Sequence, residues 1–89
     1  MIVDDDPFCV DFMKNQIEDM LMALNLRSDV VDVHYNGRDA VDQVKVSIGE
    51  CVQYDEGQVD RRCMYKLILM DYFMPFLNGD DATIEIMQL

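Results

Sequence analysis

The chain has no basic stripe: 7 lysines and arginines stand against 18 aspartates and glutamates in 89 residues, for a net charge of −11. A nucleic-acid-binding surface needs clustered positive charge, so that class of function is set aside. The three cysteines, Cys9, Cys51 and Cys63, have no C-x-x-C or Cys/His spacing, which argues against a zinc site. Their odd number, with no secretory signal ahead of them, fits a reducing, cytoplasmic setting. No apolar run approaches the ~20 residues needed to cross a bilayer, so no membrane contact is expected of this chain. There is no internal repeat and no low-complexity tract. The single histidine, His34, has no cysteine or acidic partner at metal spacing and reads as a structural or surface residue.

A chain of this length forms one domain at most and buries roughly 60–65% of the surface its unfolded form exposes. Half of its residues are apolar, the balance of an ordinary globular protein. The acids run from Asp4 to Glu85 and therefore do not make a disordered tail. Most are solvated surface. The ones that need a reason are those that interrupt apolar runs.

Met1–Val3 reads as the end of a buried strand, cut off by Asp4, Asp5 and Asp6. Asp6-Pro7 is a helix start, with a carboxylate at the N-cap and proline in the first turn. Met13, Ile17, Met20, Leu21 and Leu24 then recur at helical spacing, with Asp11, Lys14, Asn15, Glu18 and Asp19 off that stripe. A second strand is expected over Val30, Val31, Val33 and Tyr35. After the Asn36-Gly37 turn, a helix is expected with Val41, Val44 and Ile48 on one face. Residues 49–64 lack a period and read as a surface insertion, with Arg61-Arg62 a solvated pair. The unbroken apolar run Leu67-Ile68-Leu69-Met70 predicts a strand covered on both faces and ending at Asp71. The Met74-Pro75 break and the Asn78-Gly79 turn lead to a last helix, with Ala82, Ile86 and Leu89 on a shared face. The methionines fall on these stripes and strand ends, where core packing is the default role, and the cysteines read as buried or incidental thiols.

Strand, helix, strand, helix, strand, helix is the order of an α/β domain with a doubly wound parallel sheet. In such sheets ligands bind beyond the carboxyl ends of the strands, where the strand order reverses. A flavodoxin-like order sets the first and third strands side by side at that point. Asp4, Asp5 and Asp71 then converge, and carboxylates that close repel one another unless a cation neutralises them. Magnesium, held by one or two carboxylates and keeping several waters, suits that role.

The segment Ile2-Val3-Asp4-Asp5-Asp6-Pro7-Phe8 resembles the opening of response-regulator receiver domains of two-component phosphorelays. Leu67 to Gly79, with D-x-x-M-P-x-x-N-G from Asp71 onward, resembles their phosphorylation-site strand and loop. Asn36-Gly37-Arg38-Asp39-Ala40-Val41 is similar to the turn and helix after their second strand. The resemblance covers nearly all of 1–89 apart from 49–64. It implies a flavodoxin-like receiver fold with Asp71 as the phosphoacceptor. It further implies Asp5 as a direct Mg2+ ligand, Asp4 acting through metal-bound water, and Phe73 lending a backbone carbonyl to the metal. The implied donor is a histidine kinase or a histidine phosphotransfer protein, with a hybrid histidine kinase as one form of the parent chain.

Full receivers continue through two further strand–helix units that supply a Ser or Thr and a Lys to the phosphoryl group. The sequence stops at Leu89 after the third helix, so the expectation is a C-terminally truncated receiver, β1-α1-β2-α2-β3-α3 only. Lys66 cannot stand in for that Lys, because it lies at the opposite end of the strand that finishes at Asp71. One alternative is an inert receiver-like interaction fragment without the switch residues. Another is a haloacid-dehalogenase-like phosphatase, whose Asp-x-Asp opening Asp4-Asp5-Asp6 fits literally. Phe8 stands where that family usually has Thr or Val, and D-x-x-M-P-x-x-N-G has no role there.

Overall fold

A computed structural model describes residues 1–52 and 65–89 of the chain. Three short strands, β1 (Ile2–Val3), β2 (Val33–His34) and β3 (Leu69–Met70), alternate with three helices, α1 (Pro7–Ala23), α2 (Gly37–Val52) and α3 (Gly79–Met87). The strands form one all-parallel sheet in the order β2-β1-β3. Ile2 and Val3 are in register with Val33 and His34 on one side, and with Leu69 and Met70 on the other. The domain is therefore α/β with a parallel sheet, as the alternation of elements predicts.

The start of α1 follows its local chemistry. Asp6 is the N-cap, and its Oδ1 accepts the Phe8 N–H at 3.0 Å. The helix ends where Asn25 takes the left-handed conformation, φ 57°, and the Leu26 N–H reaches back to the Leu21 carbonyl at 2.8 Å. With Asn25 N–H bonding the Met22 carbonyl at 3.1 Å, this is a Schellman-type stop, and asparagine is one of the few residues suited to its left-handed position.

The core lies on one face of the sheet. Met1, Val3, Ala40, Val44 and Met74 are buried together, with Ile48, Tyr65, Ile68, Met70 and Ile86 packed against them. Each fully buried Val or Ile of this kind contributes roughly 1.5–3 kcal/mol. Val41, also fully buried, keeps α2 on the face expected from its spacing. A bidentate ion pair crosses from α2 to α3, with Arg38 Nη2 donating to both Glu85 oxygens at 2.8 and 2.7 Å. Both side chains are more than a third exposed, so the pair contributes at most about 1 kcal/mol.

Strand alternation turns Ile2 and Leu69 to the opposite face, where α1 runs against β1. That side is sparsely filled. On α1 Val10 is buried, Met13, Ile17 and Leu21 are half-buried, and Met20 and Leu24 of the expected stripe are exposed.

Several sequence expectations need correction. Val30 is exposed in a turn before β2, so the second strand is shorter than its β-branched run. The third strand spans only Leu69–Met70 and is not covered on both faces: Leu69 is 37% exposed, and Leu67 ahead of it 64%, because α1 lies against β1 rather than β3. Helix α2 runs on to Val52, so 49–52 belong to it, and 53–64 of the expected insertion lie outside the described residues, with Cys63, Arg61 and Arg62. Cys9 is exposed, which leaves the incidental rather than the buried reading of that thiol; Met20, Met22 and Met87 are exposed rather than core, and Leu89 lies beyond the end of α3, half-exposed.

Candidate functional site

The register of β1 with β3 assembles the site. Val3 pairs with Met70, so the next residues of both strands, Asp4 and Asp71, emerge together at the carboxyl edge of the sheet. The Asp71 N–H donates to the Val3 carbonyl at 2.8 Å, and the Asp4 N–H donates to the His34 carbonyl of β2 at 3.2 Å. Asp4, Asp5 and Asp71 each offer a carboxylate oxygen, and these oxygens all lie within 4.8 Å of one another. Asp5 and Asp71 are exposed and Asp4 is half-buried. More than sixty residues of sequence separate the two arms of this cluster.

Backbone amides orient two of the three acids. Asp4 Oδ1 accepts the Asp6 N–H at 2.9 Å, and Asp71 Oδ1 accepts the Tyr72 N–H at 2.9 Å. Asp6 caps α1 through its Oδ1, so it is a structural carboxylate. Its Oδ2 also accepts from Cys9 Sγ at 3.4 Å. That bond, with desolvation next and the fields of Asp6, Asp4 and Asp71 adding, holds the Cys9 thiol above its ordinary pKa. Cys9 was not legible as a neighbour of the acids from spacing alone, although i to i+3 from a capping Asp puts it over the first turn.

The loop after Asp71 is closely fitted. The Gly79 N–H returns to the Tyr72 carbonyl at 2.7 Å, and a Cβ added at Gly79 would sit 2.0 Å from the Asp71 carbonyl oxygen. Asn78 stands at the N-cap of α3 but makes no side-chain cap bond. Its Oδ1 accepts the Met74 N–H at 3.2 Å instead, which ties the two ends of the loop together. The Met74 side chain is buried in the core. Gly37 at the start of α2 abuts the loop from the other side, with the position of a Cβ only 2.3 Å from the Leu77 carbonyl oxygen.

Phe73, expected to matter through its carbonyl, carries its ring edge-on to Tyr72 with centroids 4.7 Å apart, and is 74% exposed. The Tyr72 hydroxyl donates to Asp80 Oδ2 at 3.2 Å, and the Asp80 charge foremost raises its pKa. An open recess of 460 Å³ lined by Asp4, Phe8, Cys9, Phe12 and Met13 flanks the acids on the α1 side. Lys66 is exposed ahead of the amino end of β3, whereas Asp71 follows its carboxyl end. His34 is half-buried in β2. Among the described residues no helix is long and apolar enough to cross a membrane.

No family model, curated protein or solved structure matches the chain.

Proposed function

We propose that the chain is a phosphoacceptor receiver module of a two-component phosphorelay, with a flavodoxin-like fold and with Asp71 as the acceptor. The observation that carries this reading is the convergence of Asp4, Asp5 and Asp71 at the carboxyl edge of a parallel sheet ordered β2-β1-β3. That is the order in which flavodoxin-like sheets begin, and the edge where they take their ligands. The D-x-x-M-P-x-x-N-G loop at the same edge supports it.

Three carboxylates with access to water are a hard oxygen donor set of the kind that suits Mg2+. The backbone amides occupy Oδ1 of Asp4 and of Asp71, leaving Oδ2 of each outside those two bonds. Asp4, Asp5, Asp71 and the Phe73 carbonyl would hold the ion, and when bound it would offset charge on the transferring phosphoryl group. The chain's own chemistry is nucleophilic. An Asp71 oxygen attacks the phosphorus of a phosphohistidine, the P–O bond forms as the P–N bond breaks, and the imidazole nitrogen leaves with the electron pair and takes a proton. The product is an aspartyl phosphate, so the chain is a stoichiometric acceptor rather than an enzyme that turns over an ester. The donor is a histidine kinase or histidine phosphotransfer protein, in trans or within a hybrid histidine kinase, and the setting is cytoplasmic. The added charge then shifts the balance between conformations of the acceptor loop and its partner surface.

Incubation with Mg2+ and acetyl phosphate, followed by intact mass, tests this. A single phosphoryl adduct is expected, absent from Asp71→Asn. No adduct on a chain shown to be folded by circular dichroism, or an adduct that persists in Asp71→Asn, would overturn it.

A further inference from the structure

We propose that Arg38 is a positioning residue for the acceptor loop, residues 71–78. It fastens the start of α2 to α3, and α3 in turn holds the loop against the end of β3. The proposal rests on the reading of Asp71 as acceptor and adds to it a residue outside the acidic cluster.

The argument follows the contacts. Arg38 lies in the first turn of α2 and grips both oxygens of Glu85, 47 residues away, at 2.7 and 2.8 Å. Both bonds leave the same nitrogen, Nη2, so one end of the planar guanidinium is set astride the carboxylate by two charge-assisted bonds. Arg38 Nη1 also lies 3.9 Å from Asp42 Oδ1, which steadies the guanidinium from its own helix. Beneath this pair the two helices are in close contact: Gly37 has room for no Cβ, because Ala82 Cβ would lie 3.1 Å and the Leu77 carbonyl oxygen 2.3 Å away. At the far end of the same short helix, Gly79 lies against the Asp71 backbone and donates to Tyr72. Helix α3 spans only Gly79–Met87, so Glu85 and Gly79 belong to one rigid piece. If α3 shifts along α2, the loop between Asp71 and Gly79 must follow.

General electrostatics makes the opposite forecast, which allows a clean test. Removing a positive charge from a chain of net charge −11 should tighten a dication at the acidic cluster. Loss of positioning should weaken it. Arg27 supplies the control, since it makes a comparable two-point contact with its near neighbour Asp29, at 3.0 and 2.8 Å, on the loop before β2.

The experiment is amide hydrogen exchange by NMR on the 1–89 chain, with a magnesium titration on the same samples. In Arg38→Gln, exchange at the Gly79 and Met74 amides should rise about two- to fivefold relative to Ile2 and Asp4, which bond to the β2 side. Arg27→Gln should leave that ratio unchanged. Arg38→Lys keeps the charge and loses the planar group that spans Glu85 and Asp42, so it should shift the ratio in the same direction by less, and it serves where Arg38→Gln folds poorly. Magnesium should bind more weakly to Arg38→Gln and not to Arg27→Gln. Uniform acceleration at all four amides, or none, would overturn the positioning role, as would tighter magnesium binding to both glutamine variants alike. A wild-type chain that takes no magnesium would sink the receiver reading, and the exchange ratio would still decide the role of Arg38.

Discussion

The two faces of the sheet are packed to different standards. On one, α2 and α3 close over Met1, Val3, Met70 and Met74, and an ion pair links the helices across the seam. On the other, α1 buries Val10 and leaves Leu67, Leu69, Met20 and Leu24 substantially in water. The candidate site straddles this divide. Asp4 and Asp5 lead into α1 from the sparse side, while the loop that follows Asp71 is gripped from the dense side by Met74, Gly37 and Gly79. Precision in the site is thus built from α2 and α3, whereas α1 supplies two acids on a short connection and little else. Exposed apolar surface of this extent is ordinarily a contact surface or an aggregation liability. Among the described residues β3 is an edge strand, and such an edge adds to it.

The sharpest way to probe the dense side is to remove its tolerance. Gly79→Ala would push a methyl group into the Asp71 carbonyl, against backbone that has no flexible end to yield. Overpacking ordinarily costs about 1–3 kcal/mol, and a backbone clash belongs at or above the upper limit. In so small a domain that is a large share of the total stability. Gly49→Ala, a glycine in the same fold with nothing near its Cβ position, should do the reverse and stabilise α2 by about 1 kcal/mol. Thermal unfolding followed by circular dichroism reads both, and equal effects would show that the two glycines differ less than the contacts imply.

Next in size is a pair of truncations, one on each face. Met74→Ala empties a buried position between the sheet, α2 and the loop and should cost about 2–4 kcal/mol. Leu67→Ala removes a side chain already 64% exposed and should change stability by less than about 0.5 kcal/mol. Urea titrations of the two variants measure the difference directly. A Leu67→Ala cost near that of Met74→Ala would mean that α1's face is covered in solution.

The same contrast explains what could be read in the sequence. The Asp6-Pro7 start of α1 and the Val41 and Val44 face of α2 were legible because capping and helical period are local properties. The convergence of Asp4, Asp5 and Asp71 was legible only through an assumed sheet order, which the β2-β1-β3 arrangement matches. The third strand was misjudged because an unbroken apolar run tells which residues tolerate burial, not which neighbour arrives to bury them. Val30 and Val31 were misjudged because β-propensity is not pairing, and β2 begins only at Val33, where β1 is there to bond it. Arg38–Glu85 had no local signal at all, since 47 residues separate the partners.

The smallest effect concerns a strained point in the loop itself. Phe76 has φ 68°, and the Leu77 N–H donates to the Pro75 carbonyl at 2.8 Å across it, so it forms the centre of a positive-φ γ-turn. That conformation is rare and strained for a residue with a Cβ, and a bulky one is an outlier there. Such strain costs of order 1–3 kcal/mol. The ring gains little in return, being 86% exposed. Phe76→Gly removes the clash but gives the unfolded chain more freedom, worth roughly 0.5–1 kcal/mol against it. The balance favours the glycine variant by about 1 kcal/mol, measurable as a higher urea midpoint with an unchanged slope. Where the strain serves the acceptor loop, the stabilised variant should also take up phosphoryl from acetyl phosphate at an altered rate. An unaltered rate beside the higher midpoint would make Phe76 a local defect that the dense face merely tolerates. A lower midpoint would mean that the ring is covered in solution, and that the sparse character of α1's side does not extend to the loop.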